Sequence, residues 1–238
     1  MVGWKTYHDQ WLSEGFAEFS AALFERALDP KKFRQFWDLK RRHLLEKDRA
    51  GHRPTEVGPL WLNLQTASYL EAEVQQILVY EKGAYVLEML RTIMEDPSQK
   101  NPDASFISMM RDFVSTYAGR NASTEDFRRV VEKHIGQSMV EFFNEWVYGT
   151  EVPHYEFSYH LKDSGGGKTV LQYALTQSEV SDSFSMKVPI YAYVSGKPGR
   201  LGFIGVKGSA TSKGEVSLPF KPEKIVADEY HSILCTKQ

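Results

Sequence analysis

Two short stretches hold residues whose type and setting suit chemistry. Trp11-Leu12-Ser13-Glu14-Gly15-Phe16-Ala17-Glu18-Phe19 sets an acid and a glycine inside an amphipathic helical pattern. Glu14 lies beside the apolar face, where an unpaired carboxylate is costly, and Gly15 weakens a helix. Both are odd choices on local grounds. A solvated or salt-bridged glutamate is the plain alternative, since charged helix residues mostly face water. Further on, Tyr80 opens Tyr80-Glu81-Lys82-Gly83-Ala84. A neutral phenol is a hydrogen-bond donor, and a fixed donor aimed at developing negative charge lowers a barrier. The plain alternative is a tyrosine packed near a helix start.

The seven histidines are His8, His43, His52, His134, His154, His160 and His231, and no His-Glu-x-x-His is formed by any of them. His8 lies six residues before Glu14, a spacing that puts the two on different faces of a helix. Cys235 is the only cysteine, so neither an internal disulfide nor a Cys-x-x-Cys metal site is available.

Together the two stretches resemble the aminopeptidase N and leukotriene hydrolase family of zinc metallopeptidases, the gluzincins. "WLSEGFAEF" is similar to that family's W-L-N-E-G-F-A, and "VYEKGA" to its Y-E-K-G-A. The resemblance implies that Glu14 is a zinc ligand and that Tyr80 donates to the oxyanion formed when water attacks a peptide carbonyl. Asp9 matches a position where the family often has an acid bonded to a zinc-ligand histidine, although its neighbours Tyr7, His8 and Gln10 depart from the pattern. Phe142-Phe143-Asn144-Glu145-Trp146 followed by Val152-Pro153 resembles the family's entry into a β-domain. In the family, H-E-x-x-H supplies the other two ligands and the general base, and G-x-M-E-N binds the substrate's free amine. Neither occurs here.

The resemblance therefore implies part of a zinc aminopeptidase acting on peptides with a free N-terminus. Zinc belongs to the parent protein. A lone carboxylate holds zinc poorly against water, so none is expected at the catalytic site of this chain, which is expected to be inactive alone. Self-association through helical surface left uncovered is a further expectation. Two other readings stay open: a family member without catalysis serving as a binding or scaffold module, and different chemistry at the same site, such as epoxide hydrolysis.

The elements that must position these residues change character near residue 150. Before it, apolar residues recur at helical spacing: Leu12, Phe16, Phe19, Leu23 and Ala27; then Val79, Val86, Leu87, Leu90 and Ile93; then Phe106, Met109, Met110, Phe113 and Tyr117. Ser123-Thr124-Glu125-Asp126 predicts a capped helix start, and Phe142 to Val147 a last helix. Residues 48–70, polar and punctuated by Gly and Pro, predict a long loop. After Pro153 the pattern alternates, as in Tyr155, Phe157, Tyr159 and Leu161. Strands follow at Val170–Leu175, Lys187–Val194, Leu201–Lys207, Glu215–Phe220 and Lys224–Ala227, with Gly165-Gly166-Gly167 as a turn. The expected fold is α+β and multidomain. Residues 1–151 form the helical C-terminal half of a thermolysin-like catalytic domain, and 152–238 a small all-β sandwich.

Composition narrows the partners. With 42% hydrophobic and 25% charged residues among 238, the chain has material for a folded core. A formal net charge of −2 offers no basic stripe for nucleic acid. No apolar run is long enough to span a membrane, and the first residues lack the pattern of a signal peptide. Asn121-Ala122-Ser123 is a glycosylation triplet that matters only in a eukaryotic secretory pathway.

Overall fold

A computed structural model describes residues 2–62 and 69–237. The chain divides into two compact units, residues 1–151 and 152–238.

The first unit is helical. A short strand β1 (Gly3–Trp4) pairs in parallel with β2 (Asn121–Ala122). Helix α1 (Trp11–Leu28) buries Trp11, Leu12, Gly15, Phe19 and Ala22. Phe16 and Leu23 are half-buried and Ala27 is exposed, so the buried stripe drifts off the expected one toward the C-terminus. Asp29 then caps α2 (Pro30–Leu45), accepting from Lys31 N at 2.9 Å. Proline at the first helical position costs no hydrogen bond. The apolar spacing does not mark α2 as a helix, because its buried anchors are few: Phe33, Trp37 and Leu44.

The stretch expected as a long loop is partly helical. It contains α3 (Pro54–Val57) and a 3-10 turn at Leu60–Leu62, while residues 63–68 lie outside the described residues. Pro54 starts a turn here because Glu56 reaches back to accept from Arg53 N at 3.0 Å.

Next come α4 (Tyr69–Gln76), a π turn (Ile77–Lys82) and α5 (Gly83–Met94). Helix α5 is the axis of the unit, buried almost all round. Its two charged members, Glu88 and Arg91, satisfy each other through bonds of 2.7 and 2.8 Å. Arg91 also donates to Asp103 at 2.6 Å, which Arg26 of α1 engages at 2.8 Å. Helix α6 (Ala104–Thr116) follows, then α7 (Thr124–Ile135) and α8 (Val140–Trp146). The helix start at Ser123 is as expected: its hydroxyl accepts from Asp126 N, Asp126 accepts from Ser123 N at 3.0 Å, and Gly136 at φ 76° ends the helix. Phe127 of α7 anchors an aromatic core, with ring centroids 5.0 Å from Phe113, 5.4 Å from Phe16 and 5.9 Å from Trp11.

The second unit is all strand. One sheet has the order β7-β4-β3-β9 and the other β6-β5-β8. Strands β3 (His154–Gly165) and β4 (Lys168–Ser178) form an antiparallel hairpin. Gly165, Gly166 and Gly167 close it at φ 80°, 62° and 76°, angles that favour glycine. Strands β5 (Ser185–Val194), β6 (Lys197–Lys207) and β7 (Ala210–Leu218) run longer than expected, and β8 (Ile225–Ala227) is short. The last strand, β9 (Thr236–Lys237), pairs in parallel with β3 and carries no alternating signal in sequence. Cys235, Ile233 and Leu234 beside it are completely buried.

Candidate active site

Glu14 and Tyr80 come together because two glycines do. Helix α1 crosses the start of α5 at Gly15 and Gly83. A Cβ placed on Gly15 would lie 2.8 Å from the Gly83 carbonyl carbon and 3.0 Å from its Cα; one on Gly83 would lie 3.1 Å from the Gly15 Cα. Only glycine lets two backbones approach so closely. The glycine that looked costly in the sequence of α1 is therefore the contact point that sets Glu14 beside the π turn.

Tyr80 sits in that π turn. The Gly83 N–H reaches back five residues to Leu78 O, a widening that recurs at functional sites. The Glu14 carboxylate, as an acceptor for the Tyr80 hydroxyl, raises the phenol's pKa above the ordinary tyrosine value, with burial and the charges of Glu14 and Glu18 acting in the same direction. The phenol thus stays protonated, and a donor, throughout the neutral range.

The neighbours of Tyr80 are held from two sides. Lys82 is fully buried, and its ammonium donates to Gly149 O at 2.8 Å. Burial lowers its pKa to about 7. Glu81 is nearly buried and accepts from Lys40 Nζ at 3.0 Å and from His43 Nδ1 at 3.0 Å. Lys40 also pairs with Glu18, one turn beyond Glu14. Neither Lys40 nor Glu18 stands out in the sequence, where both look like solvated charges. Only the fold brings them to one point.

Asp9 sits on the joint between the start of α1 and α7. One carboxylate oxygen accepts from Thr124 N at 2.7 Å and Thr124 Oγ1 at 2.9 Å; the other accepts from Thr6 N at 3.1 Å and Thr6 Oγ1 at 2.8 Å. That occupies the four acceptor positions of a carboxylate. Trp11 Nε1 donates to the same Thr124 hydroxyl at 3.0 Å. His8 is stacked on Trp61 with ring centroids 4.0 Å apart, and its Nδ1 bonds Trp61 O at 2.8 Å.

Among the described residues, no three His, Cys, Asp or Glu side chains converge in a metal-binding arrangement. The donor set here is a single carboxylate with a phenol beside it. It fits zinc as one ligand of a catalytic site and needs nitrogen donors from beyond these residues. Among the described residues, no helix is long and apolar enough to cross a membrane.

Comparison with known proteins defines the class. The Peptidase family M1 domain matches residues 1–146. Aminopeptidase M1-B of Oryza sativa subsp. japonica is 30% identical over 138 residues, which are 57% of this chain and 14% of that protein. Aminopeptidase M1-C of the same plant is 28% identical over a stretch of the same length. In fold, the chain is similar over its whole length to Legionella pneumophila aminopeptidase A, solved in complex with aspartic acid. The TM-score is 0.66 at 16% identity, and the match covers 25% of that chain. This chain belongs to the M1 family of peptidases. It spans about a seventh of the length of the two curated relatives, 14% in each case.

Proposed function

We propose that this chain contributes the carboxylate ligand and the oxyanion donor of a zinc-dependent aminopeptidase. The observation that carries the reading is the close crossing of α1 and α5 at Gly15 and Gly83, which brings Glu14 and Tyr80, remote in sequence, to one place, where the carboxylate acts on the phenol. Glu14 would hold zinc together with two histidines of an H-E-x-x-H helix outside this chain. Zinc bound there would supply Lewis-acid polarisation of the peptide carbonyl and a water of lowered pKa.

The chain's own residues have distinct parts. Glu14 presents an anionic oxygen at the metal position. The Tyr80 O–H stays protonated beside that carboxylate, so it can donate to an oxyanion formed there. The buried Lys82 and Glu81 hold the π turn on either side, which limits reorganisation of the donor during reaction. Asp9 would orient a zinc-ligand histidine only by sharing an oxygen that already serves Thr6 or Thr124.

Acting alone, the chain would neither retain zinc tightly nor cleave, since no three His, Cys, Asp or Glu side chains converge in a metal-binding arrangement among the described residues. Exposed Phe24 and Leu28 of α1 and Val114 of α6 would favour self-association. Substrates would be peptides with a free N-terminus.

The test is zinc content by metal analysis together with cleavage of an alanyl-anilide. Both are run on this chain and on a polypeptide extended upstream by about 150 residues, the size of one domain. Zinc retention and cleavage by the extended protein, with cleavage abolished by E14A and lowered to a small measurable residue by Y80F, support the reading. An extended protein that folds but stays metal-free and inactive removes it in favour of a scaffold role.

A further inference from the structure

A π turn is an unfavourable backbone form unless its surroundings hold it, and Tyr80 rides on one. Glu81, the next residue, is only 8% exposed and would be a costly buried charge without partners. Lys40 of α2 meets it at 3.0 Å and pairs at the same time with Glu18 of α1. His43, one turn along α2, holds both oxygens of Glu81, at 3.0 and 3.2 Å. Burial pulls the Lys40 ammonium down, but its bonds to Glu18 and Glu81 outweigh burial and leave its pKa raised, so it stays charged. One cation thus ties the helix bearing Glu14 to the turn bearing Tyr80. These residues line a cleft of ≈ 400 Å³ that also admits Tyr80. Without the ammonium between them, the carboxylates of Glu18 and Glu81 would face each other unscreened and repel, driving α1 from the turn.

We propose that Lys40 is a positioning residue for Tyr80: by pairing with Glu18 and Glu81 together, it fixes the separation of α1 and the π turn, and so the aim of the phenol at the Glu14 carboxylate. The catalytic purpose of this clamp rests on the aminopeptidase reading above; the clamp itself does not.

Two measurements test it. The first uses this chain labelled with 3-fluorotyrosine, with the Tyr80 fluorine resonance assigned through Y80F. K40M should shift that resonance and K40R should restore it. The second uses the full-length protein. K40M should lower kcat by about 10- to 100-fold with KM little changed, as expected for a misplacement of up to about 1 Å. In a Y80F background K40M should cost nothing further, because Lys40 acts through Tyr80. An unmoved fluorine resonance in folded K40M overturns the proposal, and so does an equal loss in the Y80F background. A full-length protein that does not cleave at all overturns the aminopeptidase reading and the catalytic purpose of Lys40 with it. That result is told apart from failure of the clamp because the fluorine measurement needs no activity. Should K40M not fold, E18Q removes the other half of the clamp and is read in the same way.

Discussion

Replacing Gly15 with alanine tests the crossing that underlies the whole site. In an isolated helix the change would stabilise by about 1 kcal/mol, since alanine is the better helix former. Here the new Cβ would meet three backbone atoms, at 2.8, 3.0 and 3.2 Å. Backbone cannot rotate away as a side-chain tip can. Restoring an ordinary contact of 3.4 Å at the closest atom requires α1 and α5 to part by 0.6 Å (3.4 − 2.8). Overpacking of this kind costs about 1–3 kcal/mol, so after the helix gain G15A should be destabilised by roughly 1 kcal/mol, and at most about 2. Urea unfolding followed by the helical circular dichroism signal reads this as a lower midpoint at constant slope. In an active full-length protein the same parting should lower kcat/KM by about 10-fold or more, because Glu14 and Tyr80 lie on the two elements being separated. G83A should act in the same direction, its Cβ facing the Gly15 Cα at 3.1 Å. The reasoning fails if G15A raises the midpoint by the full helix-propensity gain, for then the helices do not touch at this residue.

Other consequences are open to measurement. Lys82 titrates near pH 7 in the folded chain against an ordinary value of 10.5, so the unfolded chain binds more protons between those limits. Stability should therefore rise with pH by about 2–3 kcal/mol between about pH 7 and about pH 9 through this group, with its penalty full below pH 7. K82M should flatten that rise in urea midpoints, and an unchanged slope would exclude the assignment. Removing the Asp9 carboxylate with D9A strands the Thr124 and Thr6 N–H groups and should cost about 2–3 kcal/mol, seen as a lower thermal midpoint; D9N, which keeps one acceptor oxygen, should cost less. S123A removes the cap of α7 and should cost about 1 kcal/mol in the same assay.

Sequence exposed the ends of this arrangement better than its middle. Glu14 and Tyr80 stand in short stretches distinctive enough to suggest chemistry, and Ser123-x-x-Asp126 announces α7 through local bonds alone. The alternation after Pro153 marks the strands because side chains on successive residues face opposite ways. Helix α2 escaped the spacing argument because only Phe33, Trp37 and Leu44 anchor sixteen mostly charged or polar residues. The π turn left no trace, since widening one turn alters backbone pairing without altering residue types. The clamp of Lys40, Glu18 and Glu81 joins three elements through charged residues that every local rule assigns to solvent. The meaning of Gly15 needed Gly83 opposite it, and no local pattern links the two.

The placement of Cys235 has a practical consequence. All five tryptophans, Trp4, Trp11, Trp37, Trp61 and Trp146, belong to the helical unit, whereas the only cysteine belongs to the strand unit and is completely buried. Indole emission therefore reports the melting of one half of the chain, and the rate at which a thiol reagent is consumed reports the opening of the other. The molecule carries two separate natural probes, one optical and one chemical, that can follow each half through denaturation without any label being introduced.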